Sequence, residues 1–222
     1  MEKFDKIFAR AAAHHGGLQA LEAMLPRPAT PEQLQQQGDD RYLAMMTKRI
    51  FQAGFVWRLV EQKWPAFEQV FQNFDPFLMV MQSDIDLDAI ARDERIIRHR
   101  TKVAAVRANA QFVLDIAEQH GSFGQFLADW PDNDLIGLQA LLKKRGKRLG
   151  GNSGLYFLRL AGKDSWVTTN DVVTALTLQG VIDKAPTSKA EQQAVQQAFN
   201  GWQQQSGRPL CQISRVLACS IG

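Results

Sequence analysis

The chain has 222 residues, of which 45% are hydrophobic and 22% are charged, and its formal net charge is +3. These ordinary globular values exclude a disordered chain, a fibrous repeat and a disulfide scaffold. No apolar run approaches the ~20 residues of a membrane span. The N-terminal segment MEKFDKIFARAAAHHGG lacks the apolar core of a secretion signal. Two cysteines fit a reducing compartment, so we expect a cytoplasmic protein with no membrane partner.

Helical periodicity runs through nearly every long segment, and no convincing succession of alternating strands appears. Apolar residues recur every three or four positions, which makes one apolar face per helix. The clearest sets are Leu43, Met46, Ile50, Ala53, Trp57 and Val60; Val103, Val106, Ala110, Val113, Leu114 and Ala117; and Val195, Phe199 and Trp202. The pattern predicts an all-α fold of roughly ten helices without a sizeable sheet.

Helix start and stop signals agree with this prediction. Thr30-Pro31-Glu32-Gln33 and Ser188-Lys189-Ala190-Glu191 have the form of capping boxes, and Asp75-Pro76 offers a cap followed by a first-turn proline. Glycines follow helical stretches at 121, 146, 180 and 207. The chain reads as a single helical domain over 1–222, and a break near 129–134 indicates where two lobes meet.

Positive charge is concentrated in two places although the net charge is small. Five cations lie within 143–148, and a second group comprises Arg95, Arg98, His99, Arg100 and Lys102. The acids Asp84, Asp86, Asp88, Asp93 and Glu94 are expected to lie apart from these cations. Segregated basic patches permit phosphate binding despite a modest net charge.

The segment 141–175 has the layout of a helix-hairpin-helix. A helix ends in cations, a Gly-Gly-Asn-Ser-Gly turn follows at 150–154, and an apolar helical pattern resumes. Glycines allow close backbone approach to a phosphate, and helix N-terminal amides point at it. Such a hairpin holds the DNA backbone without reading sequence. The alternative is a plain connection beside a solvated basic face. The expected DNA-binding residues are Lys143, Lys144, Arg145, Gly151, Asn152, Ser153 and Gly154, with Arg98, Arg100 and Lys102 from the second group.

Three stretches together resemble the DNA-3-methyladenine glycosylase I family, within the helix-hairpin-helix glycosylase superfamily. They are Gln-Ala-Gly-Phe-Val-Trp at 52–57, Arg-Ile-Ile-Arg-His-Arg-Thr-Lys at 95–102 and Leu-Lys-Lys-Arg-Gly at 142–146. In order and spacing the likeness covers roughly residues 39 to 175. It implies two helical lobes with a cleft for an extruded base. It also implies a monomeric, monofunctional hydrolase that cleaves the N-glycosidic bond of alkylated bases such as 3-methyladenine in double-stranded DNA.

The chain departs from the family at two places. The family has a glutamate, which contacts the methylated base, three residues before the Gln of its Gln-Ala-Gly motif; here that position is Arg49. The family's zinc site uses Cys and His from both chain ends. This chain has His14 and His15 near one end and Cys211 and Cys219 near the other, so we predict neither a metal nor a cofactor.

Four residues are expected to form the base pocket: Arg49, Gln52, Trp57 and Glu61. An aromatic face stabilises a cationic base, and Trp57 ends the family-like motif, although a Trp on an apolar helical face is also typical of a core. Glu61 lies one helical turn beyond Trp57 and is the candidate to replace the missing carboxylate. Arg49 would repel a cationic base in a pocket of low dielectric constant.

Asp171 is the expected catalytic carboxylate, because its distance from the hairpin resembles that of the superfamily's catalytic Asp. Two alternatives stay open: Thr168 occupies that position instead, or Asp171 only stabilises a helix N-terminus. The superfamily's lyase chemistry uses a lysine in the second hairpin helix, and none lies between Asn152 and Gly162. The alternative functions are a non-catalytic DNA-binding protein and a structural helical protein.

Overall fold

The computed structural model describes residues 1–221, which form fourteen α-helices, one short 3₁₀ helix and no strand. The α-helices are α1 (Phe4–His14), α2 (Leu18–Ala23), α3 (Pro31–Gln36), α4 (Asp39–Gln52), α5 (Trp57–Val70), α6 (Pro76–Val80), α7 (Asp84–Arg92), α8 (Arg100–His120), α9 (Phe123–Asp129), α10 (Leu135–Arg145), α11 (Asn152–Ala161), α12 (Asn170–Leu178), α13 (Lys189–Ser206) and α14 (Leu210–Cys219). The all-α prediction is confirmed. Short helices such as α2, α3 and α6 account for the larger number.

The chain divides into two compact units. The first unit comprises Met1–Ala29, Pro131–Leu138 and 162–221, and the second comprises Thr30–Trp130 and Gln139–Ala161. One crossing falls between Trp130 and Pro131, inside the segment 129–134 where the sequence indicated a break. None of the helices within residues 1–221 has the length and apolar character needed to cross a membrane.

The first unit packs around an aromatic group on α13 and the segment after α11. Trp166 stacks on Phe199 with ring centroids 4.8 Å apart, and Phe199 meets Trp202 edge to face. Asp164 accepts hydrogen bonds from the amides of Leu210 and Cys211, each at 2.8 Å. This carboxylate therefore caps α14 and compensates amides that have no partner within the helix.

The second unit is built on α4 and α8, with a ladder of aromatic rings beside α5. Trp64 stacks on Phe67 and on Phe74, both at 5.4 Å, and Phe71 continues the stack. The 3₁₀ helix Gln72–Phe74 has positive φ at all three residues. Arg41 holds this strained turn through a 2.6 Å hydrogen bond to the carbonyl oxygen of Asn73.

The predicted helix caps are present. Thr30 and Gln33 form a reciprocal capping box, as do Ser188 and Glu191, and Asp75 accepts from the amide of Phe77 at 2.9 Å. Gly121 and Gly207 end α8 and α13 at positive φ, the conformation that glycine adopts without steric cost.

The apolar set from Leu43 to Val60 does not form one continuous face. α4 ends at Gln52, and the chain turns through Gly54 at φ +87° before α5 begins at Trp57. Trp57 is 50% exposed, whereas Ile50 and Val60 are buried. Trp57 therefore lies outside the core.

Candidate functional site

Two aromatic rings enclose the side chain of Arg49. Trp57 begins α5 and Tyr156 lies on α11, and their rings meet edge to face with centroids 6.0 Å apart. The guanidinium carbon of Arg49 lies 4.9 Å from the Trp57 ring and 4.1 Å from the Tyr156 ring. We call these two rings the aromatic clamp. The structure thus places a permanent cation where both rings offer their π electrons.

Arg49 is a buried cation that has no acidic partner among residues 1–221. It is 8% exposed, and its side chain donates a long hydrogen bond of 3.4 Å to Oε1 of Gln52. Within residues 1–221, its Nε is buried without a hydrogen-bond partner, and no carboxylate forms an ion pair with it. Burial lowers the pKa of Arg49, but a guanidinium stays charged in proteins. Such a group is unusual, because buried charges are normally paired.

Gln52 links Arg49 to a surface carboxylate. Its Nε2 donates to Oε1 of Glu61 at 3.1 Å, and Nζ of Lys48 donates to Oε2 of Glu61 at 2.8 Å. Because both oxygens of Glu61 are engaged, this carboxylate orients Gln52 and is not an unoccupied acceptor beside the clamp. The structure brings the four predicted pocket residues together.

Tyr156 is the pocket residue that the sequence analysis missed. It lies in α11 among residues read only as a helical apolar pattern, and it is partly exposed. Its partners Arg49 and Trp57 are about a hundred residues away in the chain. No local signal marks such a contact.

Lys102 does not face solvent as the prediction of a DNA contact required. It is 4% exposed, and its Nζ donates to the carbonyl oxygen of Ala53 at 2.5 Å and to that of Phe51 at 3.5 Å. Burial, together with the charge of Arg148, lowers the pKa of Lys102 to about 8. This ammonium therefore anchors the end of α4 and the Gln-Ala-Gly segment.

The expectation that the acids lie apart from the second basic group is wrong. The arginines of this group remain exposed, yet each one meets a carboxylate. Exposed ion pairs of this kind contribute little stability, so a phosphate can replace the carboxylate at small cost. The pairs are Arg95 with Asp93 at 2.6 Å, Arg98 with Glu94 at 3.3 Å and Arg100 with Asp88 at 2.9 Å.

The hairpin joins α10 to α11, and its turn comes earlier than the sequence suggested. α11 begins at Asn152, so Asn152, Ser153 and Gly154 form its first turn, and the connection is 146–151. The side chain of Asn109, from α8, accepts from the amide of Lys147 at 2.7 Å and donates to its carbonyl oxygen at 3.1 Å. This pair of bonds fixes the connection to α8.

The hairpin cations divide into two kinds. Lys143, Lys144 and Lys147 are exposed, and none of the three forms an ion pair within the described residues. Arg145 instead pairs with Asp115 at 3.2 Å and lies 5.3 Å from the Phe112 ring. The lysines are thus available to an anion, whereas Arg145 fastens α10 to α8.

Asp171 belongs to the first unit and lies exposed in the first turn of α12. Thr169 caps this helix by accepting from the amide of Val172 at 3.3 Å, and Thr168 precedes it. Cys211 and Cys219 are buried on α14. No cluster of three His, Cys, Asp or Glu side chains suited to a metal occurs in the part of the chain that the structure describes.

Comparison with known proteins shows similarity over part of the chain. The chain is 32% identical over 76 residues to DNA-3-methyladenine glycosylase of Haemophilus influenzae and, at the same identity and length, to DNA-3-methyladenine glycosylase 1 of Escherichia coli. Each match covers 34% of this chain and 41% of the relative, so the chain spans about two fifths of the length of these relatives.

Solved structures of DNA glycosylases are also similar to this chain. A structure of 3-methyladenine DNA glycosylase I from Staphylococcus aureus is 25% identical with a TM-score of 0.51, covering 62% of this chain and 80% of that one. An 8-oxoguanine glycosylase/lyase from Methanocaldococcus jannaschii, bound to DNA, has a TM-score of 0.52 over 96% of this chain and 86% of that one. Its 10% identity supports likeness of fold alone.

The family signature itself spans more than half of the chain. The sequence model described as methyladenine glycosylase matches residues 33–146, which include Arg49, Gln52, Trp57 and Glu61. The resemblance inferred from the three short motifs is thereby confirmed. The chain belongs to the methyladenine glycosylase family.

Proposed function

We propose that this chain is a monofunctional DNA glycosylase that hydrolyses the N-glycosidic bond of alkylated bases, the class to which 3-methyladenine belongs. The observation that carries the proposal is the aromatic clamp within a methyladenine glycosylase chain. Trp57 is half exposed, so its ring is accessible to a flat ligand. A glycosylase must take its base out of the DNA stack and hold it against such surfaces.

The second unit supplies two of the activities that this reaction needs. Trp57, Tyr156 and Gln52 offer stacking faces and an amide to an extruded base. The exposed lysines of the hairpin offer charge to the DNA backbone. Phosphate contacts position a protein on DNA without reading its sequence. Damage is then recognised in the pocket alone.

For the chemical step we propose Asp171 as the carboxylate that stabilises the cationic sugar and orients water. Loss of the base leaves positive charge on the deoxyribose, and a carboxylate nearby lowers the energy of that transition state. Asp171 lies exposed in the first turn of α12, where water can reach its carboxylate. Thr168 is the alternative residue at this step.

The test is release of bases from duplex DNA treated with a methylating agent, measured chromatographically for wild type and for Trp57→Ala. Base stacking on an aromatic side chain contributes about 1–3 kcal/mol, so the variant should release base about 10- to 100-fold more slowly. Leu59→Ala is the matched control, because Leu59 is an exposed apolar residue on the same helix. Equal rates of base release for Trp57→Ala and wild type would show that the aromatic clamp does not bind the base.

One observation favours the second candidate, a DNA-binding protein without catalysis. The guanidinium of Arg49 occupies the clamp at the position of the family's glutamate. Salt-sensitive binding to duplex DNA, together with no release of any alkylated base, would support this candidate and contradict the glycosylase.

A further inference from the structure

Arg49 changes which electrical charge the base site accepts. A cationic base such as N3-methylated adenine would meet a guanidinium that forms no ion pair with a carboxylate of residues 1–221. Repulsion between two like charges is strong where water is excluded. The same guanidinium attracts a neutral base that presents oxygen and nitrogen lone pairs.

The unused hydrogen-bonding capacity of Arg49 points to acceptors in the ligand. Its Nε is buried and lacks a partner within the described residues, and the bond that its Nη1 donates to Gln52 is long at 3.4 Å. Arginine donates in a planar fork, and the O6 and N7 atoms of guanine match that fork in the commonest specific contact of proteins with DNA bases. Adenine presents an amino group beside N7, which is a donor and mismatches the fork.

Resting on the proposed glycosylase function, we propose that Arg49 is a specificity-determining residue that selects neutral alkylated guanines with unmodified O6 and N7 over cationic alkylated adenines. On this proposal the flat base lies against the exposed ring of Trp57, beside the guanidinium carbon of Arg49, which is 4.9 Å from that ring.

The chemistry of base departure gives Arg49 a second use. When the bond between C1′ and N9 of a neutral guanine breaks, the electron pair remains on the base, which leaves as an anion delocalised onto O6 and N7. Water adds to C1′, and the proton that it loses neutralises the departing base. Arg49, at the O6 and N7 edge, stabilises the anion as it forms. A cationic adenine leaves as a neutral base and gains nothing from this contact.

The experiment compares two duplexes, one with N2-ethylguanine at a single position and one carrying 3-methyladenine, under single-turnover conditions. The wild type should release N2-ethylguanine faster than 3-methyladenine. Arg49→Glu restores the family's carboxylate and should shift the ratio of the two rates by about 100-fold toward 3-methyladenine. Arg49→Gln, which is neutral, should shift the ratio in the same direction by less.

Arg58→Gln is the matched control for loss of one cation, because Arg58 is exposed and follows Trp57 directly. It should leave the ratio unchanged. Thermal melting of each variant checks that it is folded.

Faster release of 3-methyladenine by the wild type, with the ratio unmoved in Arg49→Glu, would overturn the selectivity inference and leave the glycosylase proposal intact. No release of either base by wild type and variants, on these duplexes and on methylated DNA, would overturn both. If Arg49→Lys retained the full preference for guanine, positive charge alone would explain the preference. The proposed pairing of the planar guanidinium with O6 and N7 would then be refuted.

Discussion

Gly154 in the first turn of α11 leaves no room for a side chain. A Cβ at this residue would lie 2.4 Å from the carbonyl oxygen of Leu149. The carbonyl is backbone of the hairpin connection, so it cannot move aside as a flexible side-chain end would. We therefore predict that Gly154→Ala displaces the connection.

The cost of this change follows from two opposing effects. Forcing a methyl group into a packed site costs about 1–3 kcal/mol, whereas replacing glycine in a helix by alanine returns about 0.5–1 kcal/mol. The net loss, up to about 2.5 kcal/mol, should lower Tm by up to roughly 10 °C for a chain of this size. Affinity for duplex DNA should fall as well, because the connection bears Lys147.

Gly201→Ala is the matched control, because Gly201 also lies inside a helix, α13, and its Cβ would meet only the end of the Met1 side chain at 3.8 Å. The same chemical change should there raise Tm slightly or leave it unchanged. Calorimetry and fluorescence anisotropy with duplex DNA measure both effects. A Gly154→Ala protein as stable as Gly201→Ala would refute the steric argument.

Three further predictions concern charge. Replacing Lys143, Lys144 and Lys147 by Gln should reduce the slope of log Kobs for DNA against log salt concentration by about 0.9 per lost phosphate contact. An unchanged slope in a filter-binding titration would show that the hairpin does not contact DNA. The pKa of Lys102 is lowered to about 8 in the folded protein, so the unfolded chain binds more protons than the folded one between pH 8 and 10.5. The free energy of unfolding of the wild type, relative to that of Lys102→Met, should therefore rise with pH in this range and stay constant below pH 8. Urea denaturation at several pH values tests this, and a stability difference between the two proteins that is the same at every pH would contradict it. Asp171→Asn should slow base release by about 100-fold, or about 2.7 kcal/mol, with DNA affinity nearly unchanged. Thr168→Ala is assayed beside it. Base release by Asp171→Asn at the wild-type rate would assign the catalytic role to another residue.

Local chemistry allowed much of the fold to be predicted from the sequence. The capping boxes at Thr30 and Ser188 and the glycine ends of α8 and α13 depend on residues within one turn, and the structure contains them. The apolar periodicity failed only at 53–56, where the turn through Gly54 separates two helices whose spacing happens to continue one pattern. Apolar periodicity alone does not detect a break between two helices when the apolar positions keep the same spacing across the break.

The candidate site was predicted in part, because its contacts join distant segments. The motif at 52–57 identified Gln52 and Trp57, but Tyr156 and the filling of the clamp by Arg49 depend on the packing of α11 beside α4. The pairing of Arg100 with Asp88 and the burial of Lys102 also result from tertiary contacts. A run of cations shows where charge is concentrated in the sequence, but only the fold decides which cations remain free.

Helix α8 fixes the distance between the two segments that we propose to contact a damaged duplex. Lys102 near its start holds the backbone at Ala53, and Asn109, seven residues later, holds the hairpin peptide at Lys147. Seven residues of helix rise by about 10 Å, and a helix of 21 residues resists stretching. The segment that we propose to contact the DNA backbone and the segment that we propose to receive the extruded nucleotide are therefore both attached to one rigid helix. On the proposed function, the spacing between a bound phosphate and an extruded base is set by the protein before DNA binds, and the DNA has to adapt its own geometry to that spacing.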